Sequence, residues 1–144
     1  MSSRPLAAFV GLWALAVGLR ASESQTPPPP EAGKTTVAGV YATDQAKAGQ
    51  AIFESTCLGG CHQMASHKGP AFKKLWDGRP LWDLFVTILE EMPKDDPGSL
   101  TPADTAQLVA YLLKLNGLPA GKDNLPVDEA ALRKIKIEIP EGLK

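Results

Sequence analysis

The sequence lacks the features that mark several large classes of protein. In its 144 residues, 15 Lys and Arg stand against 16 Asp and Glu, so there is no basic surplus for binding nucleic acid. Strand signals are nearly absent and the chain has no internal repeat, which argues against a β-rich or solenoid architecture. The length leaves room for one domain, and that domain is expected to be helical.

Long apolar runs are also missing, apart from one at the N-terminus that is short for a membrane span. This run covers residues 6–19, with Arg4 before it and Arg20 and small residues after it. The pattern predicts a secretory signal peptide over residues 1–24, cleaved near residues 21–24, and an uncleaved signal anchor is the alternative. Cleavage after Ala21 leaves 13 basic and 16 acidic residues, a net charge of −3.

Cysteine is scarce: Cys57 and Cys61 are the only two, and His62 follows the second directly. The nearest motif is C-x-x-C-H, the attachment sequence of c-type haem, in which both sulfurs bond the porphyrin and the His binds the iron. Here one additional residue separates the cysteines. Two of the three intervening residues are Gly, which can take the positive φ that an enlarged loop requires. The additional residue is therefore physically tolerable in a haem attachment sequence, and the rest of the chain must decide the match.

Other interpretations of the same side chains stay open. In an oxidising compartment Cys57 and Cys61 could form a disulfide, although so short a loop would stabilise the fold only weakly. A zinc site would use both cysteines with His62 and His67, but adjacent ligands fit a tetrahedral site poorly.

The hydrophobic pattern predicts three or four helices. The first, from Gln45 to about Thr56 and capped by Thr43 or Asp44, leads directly to Cys57. A Gly inside a helix is unfavourable, so Gly49 indicates that another helix crosses closely there.

The next two helices have clearer ends. One begins near Pro80 and carries an apolar stripe as far as Met92, where Pro93 stops it. The other opens with Thr101 as N-cap and ends at Asn116-Gly117, with Tyr111 predicted to meet the Gly49/Phe53 face of the first helix.

The remaining segments are predicted to lie outside the core. Residues 25–38 are a Pro-rich tether, and residues 63–75 a loop wrapping one side of a cofactor. Residues 119–144 are a C-terminal extension packed on the surface, with a tail that docks a partner as the alternative. That leaves a domain of residues 39–118, a size at which one hydrophobic core is marginal and a cofactor would add apolar volume.

Taken together, these residues resemble a monohaem class I cytochrome c over residues 40–118. The shared features are the first helix with Gly49 and Phe53, Cys61-His62, Gly69-Pro70, Met92-Pro93 and a last helix with Tyr111-Leu112. More narrowly, residues 39–41 and 97–100 are similar to cytochromes that accept electrons from periplasmic quinoprotein alcohol dehydrogenases.

The resemblance implies an all-α, small cytochrome c fold around one covalently bound haem c. It makes Cys57 and Cys61 the thioether sites, His62 the proximal iron ligand and Met92 the distal ligand. It also implies that the carbonyl of Pro70 accepts a hydrogen bond from His62.

With both axial positions filled, the site suits one-electron transfer, and the chain is expected to be an electron-transfer protein, not an enzyme. It would be exported to the periplasm and would pass electrons from a dehydrogenase, implied to be a quinoprotein one, to a terminal oxidase or reductase. Contact with a membrane is expected only through an uncleaved signal anchor. A haem sensor or enzyme with a labile distal ligand is a further alternative.

Several neighbouring side chains have two interpretations. His67 is expected to face solvent or to replace Met92 as a ligand, and Met64 to pack as wall. Trp76 and Trp82 either line the haem pocket or pack in the core. Lys68, Lys73 and Lys74 either guide a partner or form a solvated surface.

Overall fold

The computed structural model describes residues 33–58 and 62–142. The predicted signal peptide, most of the predicted tether and Cys61 lie outside these residues. Within them the fold is helical, with isolated β-bridges and no strand. The α-helices are α1 (Thr43–Ile52), α2 (Pro70–Trp76), α3 (Leu81–Glu91), α4 (Pro102–Leu115) and α5 (Glu129–Arg133). A π-helical turn, Phe53–Cys57, continues α1, and 3₁₀ turns lie at Thr36–Ala38 and Met64–His67. None of the described helices combines the length and the apolar character that crossing a bilayer requires.

The core is built on α4, which is buried along almost its whole length from Thr105 to Leu113. Its start follows the sequence prediction: the Thr101 hydroxyl accepts the Asp104 backbone N–H at 3.1 Å and donates to the Asp104 carboxylate at 2.6 Å. Asn116 is the C-cap. Local capping signals therefore fix both ends of this helix.

The close helix crossing predicted from Gly49 is present. A Cβ placed on Gly49 would lie 1.8 Å from the carbonyl oxygen of Gln107 in α4, so only Gly allows this approach. Gly49 itself meets the backbone of Gln107. Tyr111 contacts the predicted face through Phe53, in the π-helical turn that continues α1, with ring centroids 5.4 Å apart.

The predicted cap of α1 is wrong. Neither Thr43 nor Asp44 caps the helix, because Thr43 is already its first residue and Ala42, which has extended dihedrals, is the N-cap. Ala42 is held there by a bridge to Gly121, and its carbonyl accepts the Ala46 N–H at 3.1 Å. Tertiary pairing of the preceding residue thus overrides the local capping preference.

The interpretation of residues 63–75 as a loop is also wrong, because Pro70–Trp76 forms α2. Gly69 precedes it with a φ of 63°, and Pro70 occupies the first helical position. Phe72 is the one buried residue of this short helix. A helix of two turns with a single core residue produces no detectable periodicity.

Two described segments contribute buried side chains: residues 33–38 of the predicted tether and residues 119–142 of the predicted surface extension. For these residues the assignment to positions outside the core is corrected. Thr36, inside the predicted tether, is fully buried, and its hydroxyl donates to the carbonyl of Glu138 and accepts the N–H of the same residue, both at 2.9 Å. The C-terminal segment runs between Lys34–Thr36 and the start of α3, where Ile135 and Ile137 bond the backbone of Leu81 and Arg79. Its buried apolar residues are Leu125, Leu132, Ile135, Ile137 and Ile139.

Candidate functional site

A cavity of about 590 Å³ opens between the helices. Its size lies in the range typical of sites for small molecules and cofactors. Mostly apolar side chains form its walls: Phe53 from the π-helical turn that continues α1, Trp76 from α2, Leu84 and Ile88 from α3, and Leu108 and Leu112 from α4. Every major helix therefore contributes one side of the same cavity.

Three of the predicted site residues line this cavity: Cys57, His62 and Met92. The fourth, Cys61, lies outside the described residues. The fifth, Pro70, is not among the lining residues and borders a separate, smaller pocket. No hydrogen bond joins His62 to Pro70 in the part of the chain that the structure describes, so the expected contact between them remains a prediction.

Cys57 and His62 are brought together by two unusually wide turns. The N–H of Leu58 donates to the carbonyl of Phe53 at 3.1 Å, and the N–H of His62 donates to the carbonyl of Cys57 at 3.2 Å. Each bond links residue i+5 to residue i, one residue more than an α-turn. The backbone at Cys57 and the backbone at His62 are thus joined directly despite the additional residue in the loop. Burial raises the pKa of the Cys57 thiol, which keeps it protonated.

Met92 reaches the cavity from the end of α3. Its N–H donates to the carbonyl of Ile88 at 3.2 Å, while its own dihedrals are extended, so it is the C-cap of the helix. Pro93 follows and lines the cavity together with Leu100. Pro93 therefore stops α3, as the sequence predicted, and Met92 lies just outside the helix.

The expectation that His67 faces solvent is wrong. Its ring lies edge-on to Phe53 at a centroid distance of 5.4 Å and 4.5 Å from the ring of His62, and its Nε2 is buried. Burial, with a smaller contribution from His62, lowers the pKa of His67. The neutral imidazole is therefore the favoured form beside the cavity.

Sequence reasoning missed the part that Asn116 plays beyond ending α4. Its Oδ1 accepts the N–H of Gly69 at 2.8 Å, and its Nδ2 donates to the carbonyls of His67 at 2.9 Å and Leu112 at 2.8 Å. The side chain is almost fully buried. It ties the segment after His62 to α4, and no signal local to either segment predicts a contact across 47 residues or more.

The remaining aromatic and sulfur candidates divide between cavity and core. Trp76 lines the cavity, whereas Trp82 does not and stacks on Phe85 with centroids 5.5 Å apart. Met64 does not line the cavity as the predicted wall residue would; it packs against the core, where its sulfur accepts a hydrogen bond from the Tyr111 hydroxyl at 3.8 Å.

Of the three lysines considered for docking, Lys73 is paired with Glu141. Lys68 and Lys74 are exposed, which agrees with their interpretation as part of a solvated surface.

The helices and the cavity they enclose define a small all-α cytochrome c fold. Residues 44–112 match the sequence model of the family described as cytochrome c oxidase, cbb3-type, subunit III. The matched range begins in α1, contains the attachment stretch and Met92, and ends in α4. The match supports a c-type cytochrome with haem c, an electron-transfer protein rather than an enzyme. Neither curated proteins nor solved structures gave a significant match.

The residues that line the cavity fit a haem. Imidazole and thioether are the axial ligand types of cytochromes c, and an apolar wall suits the porphyrin faces. For the zinc alternative, residues 33–58 and 62–142 contain no cluster of three or more His, Cys, Asp or Glu side chains that could hold a metal. Cys61, one of the four candidate zinc ligands, lies outside these ranges.

Proposed function

We propose that the chain is an exported one-electron carrier with a single haem c, bonded through thioethers to Cys57 and Cys61 and ligated by His62 and Met92. One observation carries the proposal: a single apolar cavity collects Cys57 and His62 together with Met92, which lies at the far end of α3. A bound haem supplies a one-electron ferric/ferrous couple at this position.

The residues around the cavity perform three tasks. His62 and Met92 would bind the iron of a haem held here, which would leave no coordination position for a substrate. The side chains of α3 and α4, among them Leu84 and Leu108, would exclude water from it. The thioether of Met92 favours the ferrous state and so raises the reduction potential. An electron can then enter and leave without any bond being made or broken.

The partners are proposed to be redox proteins outside the cytoplasm. The predicted signal peptide, and the extracytoplasmic location typical of cytochrome c domains, support export to the periplasm. The description of the matched family supports a respiratory oxidase as the acceptor. The donor is proposed to be a dehydrogenase, and the resemblance of residues 39–41 and 97–100 favours a quinoprotein alcohol dehydrogenase.

A methionine exchange tests the ligation. The ferric parent should show the weak far-red band of sulfur-to-iron charge transfer, and the ferrous parent should bind carbon monoxide slowly or not at all. Met92→Ala should abolish the band, open the iron to carbon monoxide and lower the potential. Met64→Leu is the matched control, because Met64 packs against Tyr111 outside the cavity, and it should keep the band.

Two outcomes would contradict the proposal. Absence of the band in the parent, or its loss in Met64→Leu but not in Met92→Ala, would reject Met92 as the ligand. Rapid carbon monoxide binding by the parent would favour the sensor or enzyme alternative over the carrier.

A further inference from the structure

Most of the hydrophobic core lies away from the cavity. Among the described residues, 21 buried hydrophobic residues form the core cluster, and four of them line the cavity: Phe53, Leu84, Leu108 and Leu112. The other 21 − 4 = 17 pack away from it, so a haem held there does not cover them. Burial of hydrophobic surface is the dominant favourable term in folding, and the larger share of it here does not depend on haem.

The C-terminal segment supplies a large part of the core away from the cavity. Five of the 17 residues belong to it: Leu125, Leu132, Ile135, Ile137 and Ile139. Leu132 lies in α5, is fully buried, and belongs to the element that packs on α3. The segment follows the range that the family model matches, residues 44–112. It is therefore an addition to the matched part of the chain.

Hydrogen bonds fasten this segment to helices on several sides. The side chain of Gln45 in α1 bonds the backbone of Leu125 twice: Nε2 donates to the carbonyl at 3.1 Å, and Oε1 accepts the N–H at 2.7 Å. The N–H of Ile139 donates to Oδ1 of Asp77, the C-cap of α2, at 2.8 Å. With its pairing to the start of α3, the segment joins α1, α2 and α3 through residues that do not line the cavity.

The added segment changes the size argument for the fold. A domain of residues 39–118 alone has a length at which one hydrophobic core is marginal and a cofactor or another staple is commonly needed. The residues that share the core run from Val40 to Ile139, a span of 100 residues. A longer chain buries a larger fraction of its surface. The segment therefore provides the additional burial that a shorter domain would need from its cofactor.

We propose that this chain folds before it receives haem, and that residues 119–139 supply the part of the core that makes this possible. Helices α3 and α4 each carry a core face beside a cavity face. Leu84 and Leu108 line the cavity, whereas their neighbours Phe85 and Val109 are buried away from it. Packing of the core faces thus places the cavity walls before haem enters. The inference rests on the proposed function in one respect, that the cavity takes haem.

Circular dichroism and urea unfolding of the haem-free full chain test the proposal. Two samples serve: the double variant Cys57→Ala with Cys61→Ala, and the parent chain produced without haem attachment and kept reduced. Each should keep most of the helical signal of the haem-loaded protein and unfold in one cooperative transition. The reduced parent decides, because the double variant also changes the attachment loop. A haem-free parent without helical signal, or without a cooperative transition, would overturn the proposal.

A matched pair of variants tests which part of the core holds the haem-free chain. Ile137→Val removes one methylene group from the C-terminal segment, and Ile88→Val removes one from the cavity wall. In the haem-free chain, Ile137→Val should raise the unfolding equilibrium constant by about fivefold and Ile88→Val by less, because Ile88 is only partly buried there. Ile137→Val should act by a similar factor in the haem-loaded protein. An equal or larger effect of Ile88→Val in the haem-free chain would overturn the part assigned to the segment.

The outcomes also separate this inference from the proposed function. An unfolded haem-free chain, alongside a parent that carries covalent haem, would reject the inference and leave the cytochrome. A folded chain that never carries haem would instead reject the proposed function and leave the packing argument intact.

Discussion

Replacing Gly49 by Ala tests the helix crossing on which the core depends. In an exposed helix this change would stabilise by about 1 kcal/mol, because Ala has the higher helix propensity. Here the added Cβ would lie 1.8 Å from the carbonyl oxygen of Gln107, whereas real Cβ atoms are essentially never closer than 3.0 Å to a neighbour. The backbones of α1 and α4 must therefore separate by at least 3.0 − 1.8 = 1.2 Å.

A backbone carbonyl inside a helix cannot rotate away from the added methyl group as a side chain could. Overpacking of this kind costs about 1–3 kcal/mol, and a rigid obstacle places Gly49→Ala at the upper end of that range. After subtraction of the propensity gain, we expect the free energy of unfolding to fall by about 2 kcal/mol. Urea unfolding of the haem-loaded protein, monitored by circular dichroism, measures this free energy of unfolding.

The exposed Ala51, in the same helix, offers the matched control. Ala51→Gly changes helix propensity alone and should lower the free energy of unfolding by about 1 kcal/mol. If Gly49→Ala proved as stable as the parent, or more stable, α1 and α4 would not cross at this point and the packing argument would be refuted.

Two further predictions concern the C-terminal segment and the start of α1. Ile137→Ala should lower the free energy of unfolding by about 2–5 kcal/mol, because Ile137 is fully buried. Val127→Ala, at a position about half exposed, should change it by less than about 1 kcal/mol, and equal effects would show that the segment is only a surface layer. Burial raises the pKa of Tyr41, whose hydroxyl donates to the carbonyl of Leu118 at 2.6 Å. Tyr41 therefore contributes fully to folding stability below about pH 10, the ordinary pKa of Tyr. This contribution is lost as the pH rises, because Tyr41 ionises at a lower pH in the unfolded chain than in the folded one. Tyr41→Phe should flatten the alkaline fall in urea-unfolding stability, and an unchanged slope would contradict this.

The parts of the fold that sequence predicts are those governed by local chemistry. The Thr101 cap and Asp104 lie three residues apart and form their bonds within one turn. The apolar stripe of α3 runs up to Pro93, which must stop it. Gly49 was informative because Gly in a helix interior is unfavourable unless something crosses there.

The parts that were missed depend on distant partners. Residues 135–139 alternate Ile with Lys and Glu, a period of two that points one face inward, and this signal was available in the sequence. The segment that Ile135 and Ile137 pair with lies more than 50 residues away, at Arg79 and Leu81, and no local pattern identifies it. The burial of Thr36 likewise depends on a distant partner, the backbone of Glu138.

The candidate site also contains residues that local motifs identify and a residue whose position depends on a distant contact. The cysteine motif and the Met92-Pro93 pair identified three cavity residues, because each follows from the chemistry of a short stretch. The inward position of His67 could not be read from the sequence, since it depends on the contact between Asn116 and the segment that carries His67.

The measurement that tests the central claim most directly combines a reduced-minus-oxidised absorption spectrum with a haem stain on a denaturing gel. The purified protein should give a c-type difference spectrum and should keep its haem after denaturation, with neither Cys57 nor Cys61 open to alkylation. A double variant, Cys57→Ala with Cys61→Ala, should lose the stain. Recovery of two alkylatable thiols, or of a haem-free disulfide between the two cysteines, would contradict the account.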